Sequence, residues 1–321
     1  MLKNNLPAGV FYVPAYELYD HSDWDFAPDK IAKLKSKKLS IIDYSTENYN
    51  HTLPGVYDYF NNLGINFILL SHDPAHHLLN PNLLFHPHYL HWSSENLVFP
   101  TLDQSAKKSH KIASLARLPR PHRIVNYMLL RDKHYFDGAV ITAHNESSRD
   151  AYQSVRSDDI TVPPGIQSQW DNIKESLPVA TGAQLIAPDV VQPGYIDSYV
   201  HLVVETTVNQ GFFITEKTWK PIGSGQLFLI WGNAGSIAHL RDMGVDVFDD
   251  FIDHKYYDTE QDPLTRLNKI HSVLDDLAAQ DLDSIFQQTL ARRTSNISKF
   301  KNGLFGTQYR DQLTTCINLL N

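Results

Sequence analysis

The chain predicts an α/β fold built from two Rossmann-like halves, and three observations carry that reading. Short apolar runs alternate with stretches of helical pattern, as expected for helices layered on a mostly parallel sheet. At 321 residues and 42% hydrophobic, the chain can fill two cores of ordinary size. Neither a Gly-rich dinucleotide fingerprint after the first strand nor a GxxxxGK[ST] loop occurs. Ordinary nicotinamide-dependent oxidoreductases and phosphate-loop NTPases are therefore disfavoured.

In the first half, LSIIDY (39–44) and NFILLSHD (66–73) read as strands, with a helix-like stretch at Gly55–Leu63 between them. FHPHYLHWSS (85–94) has no clear period and reads as loop, and SENLVFPTLDQS (94–105) reads as a linker. The second half opens with KIASLAR (111–117), a strand pattern. Pro119 and Pro121 cannot continue a central strand, and Pro121 suits the first turn of a helix, HRIVNYMLLRDKH. GAVITAHN (138–145) and SYVHLVVET (198–206) are further strands. Residues 150–190, with Pro163, Pro164, Pro178 and Pro188, read as a large loop with short helices. AGSIAHLRDMG (234–244) is a helix stopped by Gly244, VDVFDDFID a strand end with an acidic loop, and Asp262–Leu320 mainly helical. These readings divide the chain into an N-terminal domain (1–105), a C-terminal domain (106–295) and a last helix (296–321) able to cross back to the first domain.

Composition narrows the function. No run of 18 or more apolar residues exists, so no membrane span is expected. The opening MLKNNLPAGVFYVPAYELYD lacks the long apolar core and small-residue cleavage site of a signal peptide. A single cysteine, Cys316, rules out a disulfide frame or thiolate cluster within one chain, and a cytoplasmic location is expected, the host cytoplasm if the protein is viral. The net charge of −8 does not advertise nucleic-acid binding. Two basic stretches qualify that: Lys30–Lys38, and Lys107–Lys133 with Lys107, Lys108, Lys111, Arg117, Arg120, Arg123, Arg131 and Lys133.

The most informative segment is FFITEKTWKPIGSGQLFLIWG (212–232). Phe212, Phe213 and Ile214 lead into Thr215, an N-cap type of residue, followed by Glu216–Lys217, a short amphipathic stretch, a Gly-Ser-Gly turn and a second buried-strand pattern. A helix start of this kind offers orphan amides and the positive end of the dipole to a phosphate. A lysine there adds a mobile cation for a diphosphate, and a glutamate adds a bidentate acceptor for the two hydroxyls of a ribose. An ordinary solvated first turn fits the same residues. Trp219 and Trp231 read as core residues.

This segment resembles the donor-binding signature of the α1,3-fucosyltransferases and related nucleotide-sugar glycosyltransferases of the two-Rossmann-domain type. In them a strand precedes a Tyr-Val-Thr-Glu-Lys-Leu-like helix start, a small-residue turn and an apolar strand ending in Gly. The resemblance spans roughly residues 107–250. It implies a GT-B-like arrangement, two Rossmann-like domains facing across a cleft, with the donor held by the C-terminal one. It also places Arg123, in RLPRPHR (117–123), on the arginine that pairs with the donor diphosphate, Arg117 or Arg120 being alternatives. An arginine fork binds two phosphate oxygens at once and stays charged. With Lys217 it would hold the leaving diphosphate without a metal ion. The chain departs from the family at Glu205-Thr206-Thr207, where the family has Glu-Asn-Ser, and at Phe213, where it has tyrosine. Both changes bear on which base and sugar are bound. The donor-binding candidates are thus Arg117, Arg123, Glu205, Thr206, Phe213, Thr215, Glu216 and Lys217.

An inverting transfer needs a base for the acceptor proton, expected from the N-terminal half. Asp43, Glu47 and Asp73 lie at strand ends, and Glu47 and Asp73 are favoured. His72, Asp73, His76, His77, His86, His88 and His91 crowd into twenty residues. His72 and His76 have metal-ligand spacing, but Pro74 interrupts any helix there, so a histidine-rich loop facing the acceptor is expected and no metal or other cofactor. The expected partners are a nucleotide-sugar donor and an acceptor glycan. Two alternatives stand beside this reading: a phage-type enzyme that glycosylates a hydroxylated base in DNA, and a non-catalytic sugar-nucleotide-binding protein.

Overall fold

The computed structural model describes residues 6–18, 26–45, 53–73, 83–100, 103–116, 119–143, 160–177, 193–209 and 212–320. The chain forms two compact units, one of Met1–His88 with Gly306–Asn321 and one of Tyr89–Phe305. Each is α/β with a four-stranded parallel sheet.

In the first unit, β1 (Val10–Pro14), α1 (Pro28–Lys35), β2 (Leu39–Asp43), α2 (Leu53–Asn62), β3 (Phe67–Ser71) and β4 (Leu83–Phe85) follow in order, and the strands lie side by side in that same order. Right-handed crossovers that always advance in one direction put their helices on one face. Strand residues alternate accordingly. Ile42, Phe67, Leu69 and Leu83 pack with Ile31 and Leu34 of α1 and Val56 and Phe60 of α2. Leu39, Ile41, Ile68, Leu70 and Leu84 point the other way, and Leu313 and Ile317 of the C-terminal helix (Thr307–Leu320) cover them. Both sheet faces are buried, which is why β2 and β3 read as continuous apolar runs.

The second unit contains α3 (His88–Asn96, its first residue falling in the other unit), β5 (His110–Leu115), α4 (Pro121–Arg131), β6 (Val140–Thr142), α5 (Pro164–Ile173), β7 (Ser198–Val204), α6 (Glu216–Ser224), β8 (Leu227–Trp231) and α7 (Ser236–Asp242). Beyond them lie α8 (Lys255–Asp258), α9 (Pro263–Ala278), α10 (Leu282–Gln288) and α11 (Leu290–Lys301). Its strand order is β6-β5-β7-β8. The winding therefore reverses at β5, and α4 and α6 are sent to opposite faces. Helix α4 packs on α5 through Ile124, Met128 and Trp170, while α6 packs on α11. Trp219 stacks on Phe300 at 6.1 Å and Trp231 donates from Nε1 to Pro263 O at 3.0 Å, both rings being buried core.

Three local readings are corrected. FHPHYLHWSS, read as loop, takes part in β4 and supplies α3, because burial of Phe85 and Leu90 outweighs weak local propensity. VDVFDDFID holds no strand. The Asp246 side chain accepts from Phe248 N–H at 3.0 Å, and Phe248 turns to a φ of +64°, so a side-chain-closed turn replaces the ladder. The run Phe212–Ile214 likewise pairs with no strand. VFYVP, missed as a strand, is β1, and its proline is tolerated because β1 is an edge strand. No helix among the described residues is long and apolar enough to cross a membrane.

Candidate functional site

Strand β7 is buried along its length and runs directly into Glu205, whose side chain is also fully buried. A carboxylate removed from water must find donors, and this one finds them in the following turn. Thr215 N–H (3.0 Å) and Thr218 Oγ1 (2.6 Å) donate to its Oε1. Thr215 Oγ1 (2.6 Å) and Thr206 N–H (3.2 Å) donate to its Oε2. Glu205 is thereby a positioning residue: it pins the start of α6 to the end of β7.

With its proton committed to Glu205, Thr215 Oγ1 turns its lone pairs toward Lys217. It caps α6 by accepting from Lys217 N–H at 3.4 Å and accepts again from Lys217 Nζ at 3.2 Å. The ammonium also donates to Thr206 Oγ1 at 3.1 Å and to Glu216 Oε1 at 2.9 Å. Glu216 and Lys217 are only partly buried. Burial opposes ionisation of Glu216, but the Lys217 charge and hydrogen bond, with a smaller contribution from Lys220, outweigh it and hold the carboxyl below its usual value. Helix α6 ends at Gly225 with φ +74°, where Gln226 N–H donates to Pro221 O at 2.9 Å in a Schellman closure.

The β5 side meets the same place. Arg120 donates from Nη1 to Thr206 O at 2.8 Å. His122 is buried; desolvation first, then the Arg123 and Arg120 charges, hold its pKa well below the usual value. The neutral ring donates from Nε2 to Glu205 O at 3.1 Å. Arg123 is buried in the first turn of α4. Its charge reaches the Tyr195 hydroxyl, on which Glu216 and Glu205 also act. Burial first, then the two glutamates, raise that phenol's pKa while Arg123 opposes them, so Tyr195 is neutral. Lys220 Nζ lies 5.6 Å from the Tyr195 ring centroid, and His201 stacks on that ring at 4.4 Å.

These contacts sit at a defined place in the fold. β5 and β7 are neighbours, yet the chain leaves β5 for β6 on the other side. In open parallel sheets such a reversal opens a crevice at the carboxyl ends of the two strands, where ligands bind. The helices that follow β5 and β7, α4 and α6, both begin there.

Of the sequence-based candidates, Glu205, Thr206, Thr215, Glu216 and Lys217 form one hydrogen-bonded group, while Arg123 is buried in the first turn of α4, next to His122, which donates to Glu205 O. Phe213 is instead buried packing, edge-on to Tyr89 at 5.6 Å. Arg117 and Glu47 lie outside the described residues, as do His76 and His77. Asp73 is half-buried just beyond β3 in the first unit, its N–H donating to Ser71 Oγ at 3.0 Å. The sequence reading passed over Thr218, Lys220, His122 and Tyr195. The Glu216–Lys220 spacing of one helical turn was a usable signal; Tyr195 gave none. No family model matches the sequence, and no curated protein is significantly similar to it.

Proposed function

We propose that the second unit binds a nucleoside-diphosphate sugar and that the protein transfers the sugar to a hydroxyl acceptor, as the likeness to fucosyltransferase-type enzymes implies. The observation that carries this reading is the Glu216–Lys217 pair at the start of α6, tied through Thr206 and Glu205 to Arg120 and His122 at the start of α4, whose first turn also holds Arg123. Two helix starts, an arginine and a lysine suit a diphosphate. Glu216, held ionised, suits two vicinal hydroxyls of a ribose. Donor phosphoryl oxygens would replace the threonine hydroxyls as acceptors for the Lys217 ammonium.

In the reaction the acceptor O–H gives its proton to a base, and its oxygen attacks the anomeric carbon. The bond from that carbon to the β-phosphate oxygen breaks, and the electron pair leaves with the nucleoside diphosphate. Arg123 and Lys217 stabilise that developing charge. Attack from the face opposite the leaving group inverts the centre. The candidates for the base are Asp73 and Glu47.

Sugar acceptors are favoured over DNA because much of the Lys107–Lys133 stretch is engaged within the fold. Lys108 lies over Phe286, Lys111 donates to Ala278 O at 2.8 Å, Lys133 pairs with Asp275 at 2.5 Å, and Arg120 holds Thr206.

A thermal-shift screen against GDP, UDP, CDP and ADP tests the reading, since a ligand bound only by the native state raises its melting point. One of the four is expected to stabilise the protein. Lys217→Ala and Glu216→Ala should each weaken that binding by about tenfold or more, the cost of losing a charged hydrogen bond, with the fold intact. Unchanged affinity in both variants refutes the clamp. Slow donor hydrolysis without acceptor separates an enzyme from a pure binding protein, which shows none.

A further inference from the structure

The first unit holds a second polar cluster that does not depend on the nucleotide reading. Its parallel strands bring three metal-ligating side chains to their carboxyl ends. Asp43 is the last residue of β2, His86 follows β4 directly, and His88 opens α3. Asp43 and His86 are buried, and the His88 side chain is 26% exposed. One nitrogen from each imidazole and one carboxylate oxygen all lie within 4.8 Å of one another. His88 Nδ1 stands 3.8 Å from Asp43 Oδ2.

We propose that Asp43, His86 and His88 form a binding site for one divalent transition-metal ion, zinc being the ion that best suits two imidazoles and a carboxylate. Zinc takes nitrogen and oxygen ligands at about 2.0–2.2 Å, and three protein ligands leave a fourth position for water or a substrate oxygen. The partly exposed His88 gives the ion a route in.

The surroundings are those of a ligand set held in advance. Metal-binding carboxylates are themselves hydrogen-bonded by outer residues that fix their orientation. Here Ser45 donates to Asp43 Oδ1 from both its N–H, at 2.9 Å, and its hydroxyl. Tyr12 donates to Oδ2. Oδ2, with the capacity to accept more than one partner, is the oxygen that His88 Nδ1 stands 3.8 Å from. The two histidines are equally constrained. His86 N–H donates to Ser71 O of the neighbouring strand at 2.7 Å, and His88 N–H donates to His86 O at 2.8 Å. That tight turn is built around Pro87, whose ring fixes its own φ. From the sequence, the histidine excess is expected to form an acceptor-facing loop without a metal, His72 and His76 being set aside because of Pro74. The ligating pair is His-Pro-His, joined to an aspartate more than forty residues earlier by parallel strand pairing.

The test is a titration of chelator-stripped, full-length protein with Zn²⁺ by calorimetry, repeated with Co²⁺ to read the ligand field by absorption. One ion per chain is expected. His88→Ala, at a partly exposed position, should lower affinity by more than about 100-fold, and Tyr12→Phe by about 10- to 100-fold, the effect usual for an outer residue. Asp43→Asn should abolish binding; circular dichroism shows whether each variant folds, and His88→Ala decides alone if Asp43→Asn does not. The proposal is overturned if the wild-type protein binds no stoichiometric ion. It is equally overturned if a folded His88→Ala binds as tightly as wild type, which would trace the ion to others of the sixteen histidines. Neither readout involves donor binding or sugar transfer.

Discussion

Glu205 shows how much of a site can rest on a residue that need not touch ligand. Its buried carboxylate takes Thr206, Thr215 and Thr218 as donors and so fixes where Lys217 and Glu216 emerge. Glu205→Gln keeps the shape but exchanges one acceptor oxygen for an NH₂ that faces other donors. Charged hydrogen bonds are worth about 1.5–3 kcal/mol each, and a loss of about 3 kcal/mol in denaturant-derived stability is expected. A change below about 0.5 kcal/mol, the range of an ordinary surface substitution, would mean the threonine turn holds itself. Lys217 sits at the other end of the same network, more exposed, and its removal should cost affinity rather than stability. The division follows from burial: the inner charge organises and the outer charge binds.

At the scale of the element, the C-terminal helix carries the most consequence per residue. The first unit winds in one direction only, so α1 and α2 cover one sheet face, and among the described residues the helix that covers the other is the C-terminal one. Leu313 and Ile317 complete that second core against Leu39, Ile41, Ile68, Leu70 and Leu84. Leu313→Ala should therefore cost about 2–5 kcal/mol, as large-to-small changes in cores do. Hydrogen exchange should localise the loss to β2 and β3, far away in sequence. Loss of protection confined to the helix would show that the sheet does not need it.

Acid sensitivity belongs to the whole molecule: burial lowers the pKa of His86 in the first unit to about 4, and the second unit holds further such rings. His201 is buried with its pKa lowered to about 3, and His254 and His271 with theirs lowered to about 4. Burial is the leading cause in all three. A lowered pKa in the folded state means that the unfolded chain binds more protons once the pH drops below the ordinary value of 6.5. Stability is then unaffected above pH 7 and falls as the pH descends from about 6.5 toward 4. Each histidine contributes a slope of about 1 kcal/mol per pH unit within that window. Melting temperature measured from pH 7.5 to 4.5 should decline steadily below pH 6.5. A flat profile would show that these rings gain compensating partners when protonated.

The sequence by itself determined the α/β class, the placing of most strands and the helix start at Thr215–Lys217. Apolar periodicity, proline and capping chemistry act over a few residues and are written directly in the chain. It did not determine which strands neighbour one another, and both candidate sites follow from that order. The reversal at β5 brings Arg120 and His122, at the start of α4, to Thr206 and Glu205 at the end of β7. The unbroken order β1-β2-β3-β4 brings Asp43 to His86 and His88. Phe213, a donor-binding candidate from the sequence, became core packing, and Tyr195, without a sequence signal, came to lie beside Lys220, for the same reason. Whether a ring lines a charged group or fills a core depends on what the tertiary fold packs against it. A buried carboxylate like Glu205 becomes an organiser only when the fold closes water out and leaves protein donors as its sole partners.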